Sequence, residues 1–311
     1  MTVARTVVAI VGPTAAGKSA LSLALAERLG GEVVNADSMQ LYRGMDIGTA
    51  KLTPAERHGI DHHVLDIWPV TQSASVAEYQ RLARVAIDDI LARGRVPLLV
   101  GGSGLYLRAA LEHFDFPGTD AALRARLEAE LADVGSVPLH ARLAAIDPAA
   151  AAKILPSNGR RVVRALEVIE LTGAPFAAAL PDPSPVYPSM QIGVDLDTAT
   201  LDERIAARVR HMFDAGLVDE VRALLSEGLA DGRTASRALG YQQVLAYLDG
   251  RYDLARAAAD TVQATRRFVR RQRTWFHRDP RIGWLDGTAP DLVDEAVAMM
   301  ERGSTAATGG P

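Results

Sequence analysis

The segment Gly12–Ser19 limits the possible folds of this chain more than any other feature. Its sequence, GPTAAGKS, matches the phosphate-binding pattern G-x-x-x-x-G-K-[ST]. An apolar, β-branched run at 6–11 precedes it, and leucines at helical spacing follow over 18–29, which predicts a strand, a loop and a helix. Backbone N–H groups freed by the glycines and the positive end of the helix would together attract an anion. We therefore predict a phosphate site in which Lys18 supplies charge and the Ser19 hydroxyl binds magnesium.

Composition narrows the class of protein. The 311 residues suffice for one large domain and a smaller one, and their net charge is -4. The absence of cysteine excludes disulfides, thiolate catalysis and cysteine-based zinc sites. No apolar run has transmembrane length, and the first residues lead directly into the phosphate loop, which does not fit a cleavable signal. We expect a cytoplasmic enzyme with no membrane partner.

Apolar periodicity divides the chain into an α/β part and an all-helical part. Strands are predicted at 6–11, 31–36, 96–100 and 191–196, and helices at 18–29, 75–93, 105–111, 201–215, 217–227, 240–248 and 253–276. Between 120 and 171 the chain is rich in alanine, arginine and leucine and has no strand candidate, and after 196 we expect only helices. The pattern predicts a P-loop NTPase-like α/β core with a parallel sheet and an all-helical insertion domain.

The domain boundaries that we predict follow from these changes in composition. They are 1–117 for the first part of the core, 118–188 for the insertion, 189–301 for the second part of the core with a basic C-terminal helix, and 302–311 for a disordered tail.

Polar residues follow two of the predicted strands, at the edge of the sheet where ligands gather. Asp37 comes after the strand at 31–36 and could act as a general base or a metal ligand, with a helix cap or turn residue as the alternative. The strand at 96–100 ends in a second glycine-rich turn, Gly101–Gly104, in which Ser103 is the polar side chain. Two such turns suggest that backbone approaches one ligand from both sides, although a tight turn alone is the alternative.

Arginines form two clusters that suit a polyanion. Arg160, Arg161 and Arg164 lie together on a predicted helix that Asn158 would cap, and a denser group surrounds Phe268, Trp275 and Phe276. That second cluster contains Arg266, Arg267, Arg270, Arg271, Arg273, Arg278 and Arg281. Aromatic side chains offer stacking surfaces for bases. A solvated helix face is the alternative for the first cluster, because lysine occurs only at positions 18, 51 and 153 and arginine replaces it nearly everywhere.

Most phosphate loops serve nucleotide hydrolysis or phosphoryl transfer, but this chain differs from those proteins. The strand at 96–100 ends in glycines instead of a magnesium-binding aspartate, and the helical insertion and basic helix suggest a macromolecular substrate. The order of motifs resembles the tRNA dimethylallyltransferase family from the loop nearly to the C-terminus. The matching segments are GPTAAGKS, NADSMQLY from Asn35, MDIGTAK from Met45, GGSGLY from Gly101, RALEV from Arg164, Gly240–Tyr241, Thr265–Arg266 and RQRTWF from Arg271. Ser103 departs from the threonine more usual in the family but keeps the hydroxyl.

This resemblance implies a reaction and a set of roles. The dimethylallyl group of dimethylallyl diphosphate would pass to N6 of the adenosine adjacent to the anticodon (adenosine-37) of tRNA, with Mg²⁺ as cofactor and diphosphate as product. The implied catalytic residues are Thr14, Asp37 and Ser103. The implied diphosphate ligands are Gly12, Pro13, Thr14, Ala15, Ala16, Gly17, Lys18, Ser19 and Arg208, with Ser19 also the metal ligand. The implied contacts with the anticodon stem-loop are Asp37, Ser38, Met39, Gln40, Ser103, Arg124, Arg160, Arg161, Arg164, Arg266, Arg270 and Arg273.

Three other functions remain open from the sequence. A prenyltransferase acting on free adenine nucleotides needs the loop and Asp37 but neither the insertion nor the basic helix. A small-molecule P-loop kinase predicts ATP turnover without RNA binding. A non-catalytic RNA-binding protein would not need an intact Gly17-Lys18-Ser19. We expect the chain to be a monomer.

Overall fold

A parallel sheet organises the larger part of the molecule in the computed structural model, which describes residues 6–114, 116–176 and 184–306. Within these ranges six strands pair in the order β3-β2-β4-β1-β5-β6, and every pairing is parallel. The strands are β1 (Val7–Val11), β2 (Gly31–Asn35), β3 (His62–His63), β4 (Val96–Val100), β5 (Ser189–Asp195) and β6 (Ile282–Asp286). The predicted parallel α/β core is therefore confirmed.

Helices connect these strands and form the rest of the regular structure. They are α1 (Lys18–Leu29), α2 (Val76–Ala92), α3 (Gly104–Leu111), α4 (Ala121–Val134), α5 (Ser136–Ile146), α6 (Pro148–Ala151), α7 (Gly159–Thr172), α8 (Thr198–Asp214), α9 (Leu217–Ser226), α10 (Tyr241–Leu248), α11 (Leu254–Phe276) and α12 (Leu292–Ala306). Side-chain caps define several of the starts: Ser75 accepts from Glu78 N and Asp253 accepts from Arg256 N. No helix among the described residues is long and apolar enough to cross a membrane.

The sheet is covered on both faces, so its central strand is buried throughout. Along β1, Val7, Ala9 and Val11 belong to one hydrophobic cluster, while Val8 and Ile10 belong to the other, as the two-residue period of a strand requires. Helices α2, α3, α9 and α10 supply the first cluster, and α1, α8 and α12 supply the second. An apolar run of this kind is typical of a parallel sheet with helices on both sides.

The chain divides into two compact units, one formed by 1–112 with 185–311 and the other by 113–184. Helices α4 to α7 make up the regular structure of the second unit, and a separate hydrophobic cluster that includes Leu127, Leu143 and Leu166 holds them together. The first cluster and the second contain no residue from 113–184 among the described residues. The predicted insertion, 118–188, starts and ends a few residues later than this second unit.

Three local predictions need correction. The sequence pattern predicts neither β3, which has only two residues, nor β6, which lies after 196 where only helices are expected. Strand β6 is short, contains Gly283 and follows directly on the arginine-rich region, so its sequence carries only a weak apolar pattern. Its strand conformation depends on pairing with β5. The predicted disordered tail, 302–311, is wrong in its first part because α12 continues to Ala306, and 307–311 lie outside the described residues.

Candidate active site

The phosphate loop joins β1 to α1 at the carboxyl edge of the sheet, as predicted. Three of its residues have left-handed backbone: Gly12 at φ 135°, Ala15 at φ 69° and Gly17 at φ 107°. A Cβ on Gly12 would lie 2.2 Å from Val194 O, so the first glycine is required by close packing as well as by its φ angle. Alternation of right- and left-handed backbone turns successive N–H groups toward one concave side, which makes an anion site.

Two cations and one carboxylate interact at this loop. Burial, which has the larger effect, and the nearby Arg208 guanidinium together lower the pKa of Lys18 to about 8, although the charge of Asp37 opposes both effects. Lys18 Nζ donates to Pro13 O at 2.7 Å, and burial also lowers the pKa of Arg208. Two cations that are removed from water and repel one another destabilise the site unless an anion binds to them. The site is therefore suited to bind an anion.

Arg208 reaches the loop from α8 and is held there by the segment that follows Met45. Its Nη2 atom donates to Thr49 O at 3.2 Å. Gln40 Nε2 donates to the same carbonyl at 3.2 Å, so this predicted RNA contact is engaged with the protein. The side chain of Met39 is partly buried against the first hydrophobic cluster.

Asp37 lies just after β2 and is fixed by its neighbours. Its Oδ1 atom accepts from Met39 N at 2.8 Å, which closes a turn of the kind that aspartate favours. The Asn35 side chain binds both backbone groups of Asp37: Oδ1 accepts from Asp37 N at 2.9 Å, and Nδ2 donates to Asp37 O at 3.0 Å. Among the described residues, Asp37 Oδ2 makes no hydrogen bond, so one carboxylate oxygen remains available for a reactant.

The second glycine turn packs directly against the segment that carries Asp37. A Cβ on Gly101 would lie 2.3 Å from Ala36 C and O, so only glycine allows this approach. Ser38 N donates to Ser103 Oγ at 3.3 Å, and the two serine hydroxyls are 3.3 Å apart. The predicted meeting of the two strand ends therefore occurs through Ser38 and Ser103.

Thr14 shows a contact that sequence reasoning missed. Its backbone N–H donates to Gln272 Oε1 at 2.9 Å, while Gln272 Nε2 donates to Gly102 O at 2.9 Å. Gln272 belongs to α11, far along the chain, and is 5% exposed. The sequence pattern assigns the surrounding arginines to RNA and gives this glutamine no role, although its interruption of the charged run is a signal for one.

Four of the arginines predicted to contact RNA form ion pairs within the protein. In the second unit, Arg124 and Arg164 both pair with the buried Glu167. In the first unit, Arg266 pairs with Asp202 at 3.3 Å, and Arg273 pairs with Asp195 at 2.9 Å. The pairs of Arg124 and Arg266 join two helices and that of Arg273 joins a helix to the sheet, whereas Arg164 and Glu167 pair within α7.

The remaining members of that predicted set are on the surface. Arg160, Arg161 and Arg270 are exposed, as are Arg267, Arg271 and Arg278. Arg271 lies over the Phe268 ring at 5.7 Å. Trp275 is 42% exposed and lies beside Gly104, where a Cβ would be 1.9 Å from Trp275 Nε1. The exposed Trp275 of α11 is therefore close to the second glycine turn.

Ser19, the predicted metal ligand, is exposed at the start of α1 beside Lys18. Over residues 6–114, 116–176 and 184–306, no group of three or more histidine, cysteine, aspartate and glutamate side chains could hold a metal ion. The hydroxyl of Ser19 is an oxygen donor of the kind that magnesium prefers.

Known proteins resemble this chain over nearly its whole length. A family model described as IPP transferase matches residues 40–279. The tRNA dimethylallyltransferase of Salinispora arenicola is 74% identical over 294 residues, which cover 94% of this chain and 86% of that protein. The crystal structure of the full-length tRNA isopentenylpyrophosphate transferase from Bacillus halodurans aligns with a TM-score of 0.71 at 41% identity, covering 97% of this chain and 96% of that one. A eukaryotic dimethylallyltransferase acting on tRNA aligns with a TM-score of 0.80 at 26% identity, covering 95% and 78%.

A match over more than half of the chain, with close relatives covering almost all of it, shows that this protein belongs to the IPP transferase family.

Proposed function

We propose that this chain transfers the dimethylallyl group of dimethylallyl diphosphate to N6 of adenosine-37 in tRNA and releases diphosphate. The observation that carries the proposal is the convergence of Lys18, Arg208 and Asp37 on the phosphate loop. The cations suit a diphosphate, and the carboxylate suits a nucleophile that must lose a proton. The relatives named above are themselves tRNA dimethylallyl- or isopentenyltransferases.

The first half of the reaction breaks the bond between the allylic carbon and the diphosphate oxygen. Negative charge grows on the diphosphate as the bond breaks, and the loop N–H groups, Lys18 and Arg208 stabilise that charge. Ser19 fits a magnesium ion because phosphate oxygens of the substrate would complete an all-oxygen set of ligands. When bound, magnesium supplies further positive charge to the leaving group.

The second half forms the bond between N6 and the allylic carbon. The adenine amine is a weak nucleophile because its lone pair is delocalised into the ring. Asp37 accepts the N6 proton through its available Oδ2 atom as the carbon–nitrogen bond forms, so the charge on nitrogen does not build up. Thr14 and Ser103 lie in the two loops that border the reactants, and we assign them contacts with the diphosphate or the target nucleotide.

The target base has to leave its stack to reach Asp37, which is cheapest in a single-stranded loop. We assign Asp37, Ser38, Met39 and Gln40 to the surroundings of that base. Arg160 and Arg161 in the insertion and Arg270 on α11 are the exposed members of the predicted set and are the strongest candidates for the anticodon stem-loop. Arg124, Arg164, Arg266 and Arg273 could bind RNA only in competition with their ion pairs.

We propose that the protein acts on tRNA as a monomer in the cytoplasm. The test is incubation with radiolabelled dimethylallyl diphosphate and magnesium, with bulk tRNA in one reaction and AMP plus ATP in another. We expect label in tRNA alone. Label in the nucleotides would instead identify an adenine-nucleotide isopentenyltransferase, and ATP turnover without label transfer would identify a kinase.

A further inference from the structure

The buried side chain of Gln272 forms a hydrogen bond to each of the two glycine loops of the site. One end of its amide accepts from Thr14 N in the phosphate loop, and the other end donates to Gly102 O in the second turn, both at 2.9 Å. Since Gln272 is almost completely buried, neither hydrogen bond is readily replaced by water.

The packing around this amide leaves little freedom for either loop. A Cβ on Gly102 would lie 2.3 Å from Gln272 Nε2 and 3.4 Å from Gly12 O. On the opposite side of the turn, Gly101 packs against Ala36, the residue before Asp37. A continuous set of contacts therefore runs from the phosphate loop through Gln272 and the second turn to the segment that carries Asp37.

An amide is suited to this place because it accepts at one end and donates at the other. Thr14 N–H requires an acceptor, and Gly102 O requires a donor. A glutamate would keep the first bond but place an unprotonated oxygen against Gly102 O, and a methionine of similar size would make neither bond. The same geometry commits the Thr14 N–H to the protein, so it is not among the donors that face the diphosphate.

We propose that Gln272 is a positioning residue that sets the separation between the diphosphate loop and Asp37. It touches neither reactant. This inference rests on the proposed function, in which the loop holds the leaving group and Asp37 receives the proton. A displacement of about 1 Å in such an alignment lowers a rate by up to about a hundredfold.

The test combines Gln272→Met with Asp37→Asn in a double-mutant cycle, with dimethylallyl transfer to tRNA as the readout. We expect Gln272→Met to lower kcat about tenfold to a hundredfold while the KM for dimethylallyl diphosphate changes by less than about threefold. In the Asp37→Asn background the same change should cost less than about threefold, because the alignment that it disturbs no longer serves proton transfer.

The control is Thr265→Val on the same helix. Thr265 is also buried, and its hydroxyl donates only to Thr261 O within α11 at 2.8 Å. We expect this variant to lower the Tm slightly and leave kcat unchanged. If Gln272→Met does not fold, Gln272→Glu replaces it in the cycle, because it has the same size and keeps the acceptor for Thr14 N while it opposes Gly102 O with a carboxylate oxygen.

Two outcomes would overturn the inference: a kcat for the Gln272 variant within about twofold of the native value, or an equal fold loss in both backgrounds, which indicates a general structural effect. Failure of the proposed function is seen separately, as a native protein that does not label tRNA at all.

Discussion

Lys18 and Arg208 are two cations at the phosphate loop whose pKa values are lowered by the fold. Each is an ordinary cation in an unfolded chain, but in the structure burial lowers both pKa values and each cation repels the other. Binding an anion removes most of that repulsion. The affinity for diphosphate therefore depends on the protonation of Lys18.

We predict that dimethylallyl diphosphate binds less tightly as the pH rises through about 8. In the free protein Lys18 loses its proton near pH 8, whereas bound diphosphate stabilises the ammonium form and raises its pKa. Binding above pH 8 must then take up a proton, and affinity falls, while below pH 8 it is independent of this group. Calorimetric titration of the diphosphate from pH 6.5 to 9.5 measures the effect. Lys18→Arg should lose this dependence, and a native profile that is flat across pH 8 would contradict the assignment.

The two carboxylate oxygens of Asp37 have different roles. Oδ1 accepts from Met39 N and holds the turn, whereas Oδ2 is available to accept a proton from the substrate. We predict that Asp37→Ala keeps diphosphate binding within about threefold and lowers transfer to tRNA by about 10²–10⁴-fold. Single-turnover transfer and diphosphate titration measure the two quantities. Asp37→Asn serves as the matched control for the Met39 turn, since it can still accept from Met39 N. Near-native turnover in Asp37→Asn would show that Asp37 is not the base.

At the scale of elements, one carboxylate on α9 organises the segment that holds Arg208. Glu220 accepts from Asp46 N, Ile47 N and Gly48 N at 3.1, 2.7 and 3.2 Å. Tyr241 Oη donates to the same carboxylate at 2.5 Å. These bonds fix the turn that ends in Thr49 O, the acceptor for Arg208.

We predict that Glu220→Gln lowers the free energy of unfolding by about 1–3 kcal/mol, because an amide cannot accept all four bonds. The KM for dimethylallyl diphosphate should rise about tenfold as Arg208 loses its fixed acceptor. Chemical denaturation and steady-state kinetics measure the two effects. Glu227→Gln, an exposed residue at the end of the same helix, is the control and should change neither quantity. A KM that stays native in Glu220→Gln would show that this turn does not position Arg208.

In the whole molecule, the chain leaves the first unit after Glu112 and returns to it at Pro185, and these two residues are paired. Glu112 and Pro185 form an isolated antiparallel bridge, and His113 N donates to Ser184 O at 2.7 Å. The hydrophobic cluster of the second unit is separate from the two clusters that cover the sheet. The insertion therefore has its own core, and the sheet does not depend on it for burial.

We predict that replacing 113–184 with a short Gly-Ser linker leaves a protein that unfolds cooperatively and binds dimethylallyl diphosphate with near-native affinity. Transfer to tRNA should be lost, because the exposed Arg160 and Arg161 leave with the insertion. Thermal unfolding, diphosphate titration and tRNA labelling measure the three properties. Native transfer by the shortened chain would remove the insertion from RNA binding, and loss of cooperative unfolding would contradict the independence of the two cores.

Local sequence patterns were sufficient to predict those structural features that depend on residues close together in the chain. The phosphate loop, strand β1 and the helices flanking it follow from glycine spacing and apolar periodicity, and Asp37 was identified because it follows a strand. The arginine clusters were visible as clusters. Their sequence did not distinguish exposed Arg160 from Arg164, which pairs with Glu167, because both occupy the same helix.

The phosphate loop, the parallel α/β class, the family and the charged residues at the strand ends could all be predicted from the sequence. Packing of distant segments was needed to show which of those charges are paired, that Glu220 holds the turn before Arg208, and that β6 completes the sheet. It also brought Gln272 to two loops that lie 258 and 170 positions away in the chain. The physical reason is that periodicity and spacing record interactions within a few residues, whereas a hydrogen bond between distant segments leaves no local pattern and exists only once the chain is packed.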